Sequence, residues 1–523
     1  MTDNSKNNIL IIVADQWRAD RLGMDMSMTP NLQALARDGV SFSRHYGQVI
    51  PCAPSRASLY TGLYTQTHRV VANGTPLAHQ HRTVAQRLRS FGYAPTLFGY
   101  TDTALDPTGR HPNDPALRDY EGVLPGMDVG TLLIGRPDPW LADLRSKGYR
   151  FDSAADLWVP DFSKPNGNGG IAGYPARFAA EDSDTAFLAD QAIGWMGTQD
   201  QGWCGMICFI RPHPPFVPAA PYNAIVDPGS LSPPTRADAW QDEARQHPFM
   251  DFQLRHAPAS MAYDGLTGQV RDVAEADWRS VRAAYAGLMV EVDHHLGRVI
   301  AHLKQTGQYD NTLIVFTSDH GDPMFDHWMI NQASYHDSNV HLPLVIRDPR
   351  PEARPQDGTQ VERLSESIDL VPTLLDWLGG AIPAELDGAS LLPFLTGQSP
   401  PSWREIVQFE YHFRSSADFD FGGVLGMTED ECMMSVIRDE RFKHVFFPNL
   451  PSILIDLEED PGELRNVAGE PRYAAIERDY LAEQLRLRIL HADRRLSTTL
   501  LRPSGMTSLS GPRRHAKKAT DYA

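Results

Sequence analysis

Two uninterrupted apolar runs appear when hydrophobic and polar positions are followed along the chain. The first covers Asn8 to Ala14 and the second covers Asn311 to Thr317, and both are rich in β-branched and aliphatic residues. A strand that is buried on both faces of a parallel sheet has this pattern, whereas a half-exposed strand alternates. We therefore expect both runs to be central strands of one sheet.

Helical and extended patterns alternate between these runs. Helices are predicted from capping signals, prolines and apolar residues at helical spacing over 30–38, 52–61, 82–91, 184–196 and 276–306. Short strands are predicted to end at Gly99 and to cover 203–210. This alternation predicts an α/β fold with a large mixed, mostly parallel sheet flanked by helices. On the last of these helices, we expect His294 and His295 to lie at the surface.

The C-terminal part has a different pattern. A strand over 342–347 and a helix over 368–378 precede a stretch rich in Gly, Ser and Pro near residue 397. Short antiparallel strands over 406–411, 433–438, 443–447 and 453–457 and a helix over 474–495 then predict a smaller α+β subdomain. We divide the chain into an α/β domain (1–397), this subdomain (398–496) and a mobile tail (497–523) that is either solvated or contacts another subunit. Residues 106–173 and 218–262 lack periodicity and are predicted to be long loops over a site.

Charge and composition narrow the function classes. The 523 residues carry a formal net charge of -18, which argues against a nucleic-acid partner because such binding depends on Lys and Arg. No apolar run is long enough to span a bilayer, and the polar start lacks the layout of a signal peptide, so no membrane partner and a cytoplasmic location are expected. Four cysteines are too few for a disulfide framework.

Polar side chains follow both apolar runs directly. Asp15 and Gln16 come after the first run, and Asp319 and His320 come after the second. Ligands of open α/β sheets bind beyond the carboxyl ends of the strands, so these groups can converge. Two carboxylates, an amide oxygen and an imidazole suit a divalent cation such as Mn²⁺, Ca²⁺ or Mg²⁺. The alternative is a set of scattered structural residues.

A cysteine begins the motif Cys52-Ala53-Pro54-Ser55-Arg56, which good helix formers continue up to Gly62. Proline suits the first turn of a helix, so Cys52 is predicted at the helix N-terminus. Unpaired N–H groups and the positive end of the helix dipole favour an anion there. A reactive or merely buried cysteine in a turn is the alternative.

This pentapeptide resembles the signature of the sulfatase family of the alkaline phosphatase superfamily. The resemblance extends over most of the chain, through Thr29-Pro30-Asn31-Leu32, 369–375 and 457–464. It is strongest to the branch with bacterial phosphonate monoester hydrolases and choline sulfatases. Typical arylsulfatases have Asp-Asp and Asp-Asn at the two metal motifs, where this chain has Asp15-Gln16 and Asp319-His320. The resemblance implies an alkaline phosphatase-like fold.

The same resemblance implies a cofactor set. A formylglycine-generating enzyme would oxidise Cys52 to formylglycine, whose hydrated aldehyde is the family's nucleophile. One divalent ion, with Mn²⁺ as the first choice and Ca²⁺ as the alternative, would be held by Asp15, Gln16, Asp319, His320 and position 52. Relatives in this branch form dimers or tetramers, so a homo-oligomer is expected.

Further residues receive roles from the resemblance. Arg56 would steady the gem-diol, and Asn73, Tyr100 and His213 would contact substrate oxygens. His213, or another histidine such as His336, would protonate the leaving oxygen. The branch keeps a lysine three residues before a tyrosine, where this chain has Gln332. This departure removes a positive charge from the site, and His336 is expected to replace part of it.

We expect a hydrolase that forms a covalent intermediate on a small anionic ester. Aryl sulfate monoesters are the first expectation for its substrate. Phosphonate monoesters and phosphodiesters are the alternative, because all three carry one negative charge around a tetrahedral centre and one site can accept them. A metal-stabilised binding protein without turnover is the non-enzymatic alternative.

Overall fold

The computed structural model describes residues 6–414, 420–495, 497, 499–503 and 505–508. The strands are β1 (Asn8–Asp15), β2 (Val40–Phe42), β3 (His45–Tyr46), β4 (Val49–Ile50), β5 (Pro95–Gly99), β6 (Asp128–Leu132), β7 (Cys204–Pro212), β8 (Thr312–Ser318), β9 (His341–Leu342), β10 (Leu344–Arg347), β11 (Gln360–Val361), β12 (Ser365–Glu366), β13 (Val407–Tyr411), β14 (Met434–Arg438), β15 (Phe442–Phe446), β16 (Ile453–Asp456), β17 (Thr499–Arg502) and β18 (Gly505–Ser508). The α-helices are α1 (Pro30–Arg37), α2 (Cys52–Thr61), α3 (Thr65–His68), α4 (Val84–Ser90), α5 (Asp138–Ser146), α6 (Asp184–Met196), α7 (Trp240–Ala244), α8 (Pro248–His256), α9 (Glu275–Gln305), α10 (Asp337–Val340), α11 (Leu370–Trp377), α12 (Leu392–Leu395), α13 (Phe421–Leu425) and α14 (Ala474–Leu490).

The largest sheet has eight strands in the order β11-β2-β10-β8-β1-β7-β5-β6. β1 lies at its centre and pairs in parallel with β7 on one side and β8 on the other. Only β10 runs antiparallel to both of its neighbours. The sheet is therefore mixed and mostly parallel, which confirms the predicted fold class, and the two apolar runs are adjacent central strands.

Hydrophobic cores cover both faces of this sheet. Along β1, Leu10, Ile12 and Ala14 belong to the core that contains much of α6 and α9. Ile9, Ile11 and Val13 belong to the opposite core, which contains residues of α2, α4 and α11. Successive side chains of a strand point to opposite faces, so a strand covered on both sides must be apolar at every position.

Some local predictions are wrong. The segment 106–173 is not only loop, because it contains β6 at the sheet edge and α5. The segment 218–262 likewise contains α7 and α8. His294 is exposed as predicted, but His295 is buried on α9. β7 continues past the predicted end, since Pro212 still pairs with Asp15.

A second sheet, of five strands, is formed mostly by the C-terminal part, in the order β16-β15-β14-β13-β4. The four C-terminal strands pair antiparallel, as predicted. Its fifth strand, β4, comes from the N-terminal part and pairs in parallel with β13. The division of the chain near residue 397 stays a prediction, and this sheet joins segments from both sides of it.

The chain end was predicted to be a mobile tail. Within it, β17 and β18 form an antiparallel pair, whereas the basic run 513–518 lies outside the described residues. Among the helices that the structure describes, none combines the length and the apolar character needed to cross a lipid bilayer.

Candidate active site

The site lies where β1 and β8 end. Ala14 pairs with Ser318, so Asp15 and Asp319 follow their strands at the same level of the sheet. The Gln16 backbone N–H donates to Asp319 Oδ1 over 3.1 Å. The predicted convergence of the two strand-end motifs is thus present in the fold.

Helix α2 brings Cys52 to the same point. Its sulfur lies 3.2 Å from His320 Nε2. Ligand atoms of Asp15, Cys52, Asp319 and His320 all lie within 4.8 Å of one another, and all four residues are buried. Burial, followed by the carboxylates of Asp15 and Asp319, raises the pKa of the Cys52 thiol well above its ordinary value.

This cluster fits a divalent cation. Asp15 Oδ1 is buried and has no hydrogen-bond partner in the described part of the chain. Burial and the neighbouring Asp319 raise the pKa of Asp15, because two carboxylates in a dry site oppose each other's charge. His320 Nδ1 lies 3.0 Å from the Gly321 carbonyl oxygen, which accepts only, so Nδ1 carries the proton and Nε2 is left as the ligand atom. A cation would supply the partner that Asp15 Oδ1 lacks.

Arg56 is buried beneath the cluster, one helical turn after Cys52. Its Nε donates to Asp319 Oδ2 (2.8 Å) and its Nη2 to Asp15 Oδ2 (3.2 Å). Its Nη1 donates to the Tyr100 carbonyl (3.1 Å), and the guanidinium lies 4.1 Å from the Tyr100 ring centroid. The Tyr100 hydroxyl also donates to Asp15 Oδ2. Arg56 therefore holds both strand-end carboxylates in place.

Gln16 belongs to a second set of contacts at the same strand end. Its Nε2 donates to Asp322 Oδ2 over 2.5 Å, which leaves Oε1 free to accept, and Gln332 Nε2 donates to it over 2.9 Å. Burial raises the pKa of Asp322 to about 6. Sequence reasoning missed Asp322, although it stands three residues after Asp319 in the same strand-end motif.

A partly open cavity of about 280 Å³ adjoins Cys52. Predicted site residues on its wall are Asp15, Cys52, Asn73, Tyr100 and His213. Asn73 Oδ1 accepts from the backbone N–H of Ala53 over 3.0 Å, so it also fixes the start of α2. Sequence reasoning did not assign Asp102, Glu121 or Arg211 to this wall. All three come from strand ends or loops without periodicity.

His213 lies in the loop after β7. Its Nδ1 is 2.6 Å from the Pro214 carbonyl oxygen, so Nδ1 is the protonated nitrogen and Nε2 the acceptor. Burial lowers the pKa of His213 to about 4. The ring is therefore neutral at pH 7.

Gln332 and His336 have different positions. Gln332 Oε1 is 3.5 Å from the Cys52 sulfur, so this residue reaches the nucleophile. His336 is not among the residues of the cavity wall; its ring stacks on His327 at 3.5 Å between centroids. Burial lowers the pKa of His336 well below its ordinary value. The expectation that His336 replaces a missing positive charge therefore has no support in this arrangement.

Residues 7–381 match the sulfatase family profile. The chain belongs to the sulfatase family. Residues 323–489 also match the profile described as N-sulphoglucosamine sulphohydrolase, C-terminal. This sulfatase-family chain is 37% identical to the multifunctional alkaline phosphatase superfamily protein PehA of Trinickia caryophylli, over 96% of this chain and 99% of that protein. It is 28% identical to the choline-sulfatase of Rhizobium meliloti, over 89% of this chain and 83% of that protein.

The fold of this sulfatase-family member is similar to that of the phosphonate monoester hydrolase of Agrobacterium radiobacter. The two match with a TM-score of 0.92 and 42% sequence identity, over 97% of this chain and 100% of that one. Family membership makes the protein a hydrolase that acts on ester bonds. It also implies a metal ion and a formylglycine made from the cysteine of the motif, which is Cys52 here.

Proposed function

We propose that the protein hydrolyses phosphonate monoesters and phosphodiesters. The observation that carries this proposal is the full-length similarity to a phosphonate monoester hydrolase, at 42% identity and a TM-score of 0.92. This proposal reverses the order of substrates expected from the sequence, in which aryl sulfate monoesters come first. Hydrolysis of aryl sulfate monoesters is the second candidate, favoured by the match to the sulfatase profile.

Two groups would complete the site. Asp15, Gln16, Asp319 and His320 would hold one divalent ion, with Mn²⁺ first and Ca²⁺ second, and a formylglycine-generating enzyme would convert Cys52. When present, the formylglycine would supply a hydrated aldehyde as nucleophile, and the ion would draw charge from a nonbridging ester oxygen. Buried Arg56 would hold the two carboxylates in position whether or not the ion is bound.

The chain's own residues would bind and protonate the ester. Asn73 and Tyr100 face the cavity and would contact the nonbridging oxygens. A bound anionic ester would raise the pKa of His213 from about 4, because negative charge favours the imidazolium. His213 Nε2 would then take up a proton in the complex and deliver it to the leaving oxygen. Gln332 would position the substrate without adding a charge.

Kinetics on matched esters tests the proposal. We expect kcat/KM for p-nitrophenyl phenylphosphonate and for bis(p-nitrophenyl) phosphate to exceed that for p-nitrophenyl sulfate. A preference for the sulfate would favour the second candidate. The Cys52→Ala variant, purified in parallel, is the control for contaminating hydrolases and should show no turnover. Hydrolysis of none of the esters by a fully converted, metal-loaded protein would favour the binding-protein alternative.

The cofactor proposals have direct measurements. Mass spectrometry of the Cys52 peptide should show loss of one sulfur and two hydrogens and gain of one oxygen. Chelation followed by dialysis should abolish turnover, and Mn²⁺ should restore it better than Ca²⁺. Restoration by Ca²⁺ alone would contradict the order of metals. The cytoplasmic location, the lack of a nucleic-acid or membrane partner and the homo-oligomer stay predictions.

A further inference from the structure

The loop that carries His213 after β7 has few backbone donors of its own. Pro212, Pro214 and Pro215 surround the histidine, and proline has no backbone N–H. His213 supplies the one N–H of this stretch, which donates to the Ile210 carbonyl over 3.0 Å. Further hydrogen bonds that hold the loop in place must therefore use its carbonyl groups as acceptors.

Two side chains donate to three consecutive carbonyl groups of this loop. Arg211 Nη1 donates to the His213 carbonyl over 2.8 Å and to the Pro215 carbonyl over 2.9 Å. His213 Nδ1 donates to the carbonyl between them, that of Pro214, over 2.6 Å. Arg211 thus fixes the backbone on both sides of the carbonyl that orients the His213 ring, and this hydrogen bond leaves Nε2 unoccupied.

Arg211 is itself held in a fixed orientation. Only 1% of the residue is exposed, and its Nε donates to Asp184 Oδ2 at the start of α6 over 3.0 Å. The guanidinium lies 4.2 Å from the Trp158 ring centroid. Nη2 has no hydrogen-bond partner in the described part of the chain, so the Nε and Nη1 contacts set the orientation of the group. Because the donors of a guanidinium form a rigid fork, Arg211 links the loop to α6 at a fixed distance.

We propose that Arg211 is a positioning residue for the hydrolysis and that it holds His213 where Nε2 can protonate the leaving oxygen. This inference rests on the proposed function, in which His213 is the proton donor. Misplacement of a reacting group by about 1 Å can cost about 100-fold in rate. Loss of Arg211 should therefore slow esters with a poor leaving group more than esters whose leaving anion is stable.

The dependence of the rate on the leaving group tests the inference. The phenyl and p-nitrophenyl esters of phenylphosphonic acid share the phosphorus group, but phenoxide is the poorer leaving group and depends more on a proton donor. We expect Arg211→Met to lower the ratio of kcat/KM values, phenyl over p-nitrophenyl, by about tenfold or more. Arg211→Lys, which keeps a charged donor, should restore part of this loss. Because both esters are measured on one preparation, any loss of folded or converted protein cancels in the ratio.

A double variant shows whether Arg211 acts through His213. His213→Asn alone should lower the same ratio by about 100-fold, as for the removal of a general acid. In that background Arg211→Met should leave the ratio unchanged, because no proton donor remains to be positioned. A further fall of the ratio in the double variant would overturn the inference.

Arg347→Met is the matched control for the removal of a buried arginine. Arg347 Nη1 also donates to two backbone carbonyls, those of Tyr309 (2.6 Å) and Thr312 (3.0 Å), and its guanidinium lies 3.9 Å from the Tyr309 ring centroid. Thr312 begins β8, whereas Asp319 follows the other end of that strand. This variant should lose stability but keep the ratio of the wild type. An equal fall of the ratio in Arg347→Met and Arg211→Met would overturn the inference.

The remaining outcomes separate the inference from the proposed function. An unchanged ratio in Arg211→Met, with a lowered ratio in His213→Asn, would overturn the inference and leave the proposed function in place. An unchanged ratio in both variants would refute the proton-transfer role of His213 and the inference with it. If neither phosphonate is hydrolysed, the proposed function fails, and the sulfate esters of the same two phenols then decide whether Arg211 positions a proton donor.

Discussion

Gln332 joins the nucleophile position to a predicted metal ligand through an uncharged amide. Its Oε1 is 3.5 Å from the Cys52 sulfur, and its Nε2 donates to Gln16 Oε1 over 2.9 Å. The branch that the chain resembles has a lysine here. His336 stacks on His327 and is not among the residues of the cavity wall, so it is not placed to replace that charge. We therefore expect the site to attract an anionic ester less strongly than a lysine-containing site would.

The Gln332→Lys variant tests this argument. A positive charge beside Cys52 should tighten binding of inorganic phosphate and sulfate by about tenfold, because each favourable close charge interaction contributes on the order of 1 kcal/mol or more. Competitive inhibition constants measure the effect. Gln332→Met, of similar length but uncharged, is the control. Equal inhibition constants for wild type and the lysine variant would contradict the prediction.

Helix α2 positions Cys52, and its other end depends on a glycine. Gly62 ends the helix in the left-handed region with φ of 72°. A Cβ atom there would lie 3.1 Å from Val371 Cβ and 3.3 Å from the Ile368 carbonyl oxygen. The end of the helix is thus restricted by both backbone conformation and packing.

Gly62→Ala should lower the free energy of unfolding by about 2 kcal/mol or more, from left-handed strain of about 1–2 kcal/mol plus crowding. Urea denaturation measures this loss. Gly379→Ala is the matched control, because Gly379 has φ of 73° but no atom within 4 Å of the added Cβ. Equal losses in the two variants would show that packing against Val371 does not contribute.

Helix α9 carries a carboxyl group where ionisation is unfavourable. Glu291 is buried, and its Oε1 has no hydrogen-bond partner in the part of the chain that the structure describes. Burial, with the charge of Asp184, raises the pKa of Glu291 from 4.5 to about 8. Between pH 4.5 and about pH 8 the Glu291 carboxyl therefore stays protonated in the folded protein, whereas the unfolded chain releases this proton. Stability from this residue is complete below pH 4.5 and is lost as the pH rises through about 8.

Glu291→Gln should remove this pH dependence. We compare the free energy of unfolding of the variant with that of the wild type at each pH. This difference should shift in favour of the variant by about 3 kcal/mol between pH 4.5 and pH 7, since each pKa unit corresponds to about 1.4 kcal/mol. Urea denaturation at several pH values measures the gain. Glu275→Gln, an exposed acid on the same helix, is the control for loss of a charge. A pH-independent difference for Glu291→Gln would contradict the argument.

At the scale of the whole molecule, helix α14 has an apolar face that no other part of the described chain covers. Leu481, Leu485 and Ile489 follow one another at four-residue spacing along α14, and each is between 46% and 67% exposed. Side chains at this spacing share one face of a helix. The predicted homo-oligomer would cover this face with a second copy of the chain.

We expect light scattering to give a dimer or a tetramer for the wild type. Leu485→Glu should shift the protein towards the monomer, because a carboxylate would be desolvated in the contact. Val424→Glu, which places the same charge on another exposed apolar residue, should leave the mass unchanged. A monomeric wild type at working concentration would refute the prediction.

The amino-acid sequence by itself determined the central strands, the boundaries of the main helices and the polar groups at the strand ends. These features depend on local rules, namely periodicity, helix caps and the position of residues relative to strand ends. β1, β8, α2 and α6 could therefore be predicted closely, and Asp15, Asp319, His320 and Cys52 could be expected to meet.

Other features were decided only by the tertiary structure. β6 lies at a sheet edge within a segment without periodicity, and β4 pairs with a strand more than 350 residues away. Such pairings depend on distant partners, so local patterns do not encode them. The lowered pKa of His213, the raised pKa of Asp322 and the position of His336 have the same origin. Each depends on which side chains the fold removes from water and which partners it brings to them.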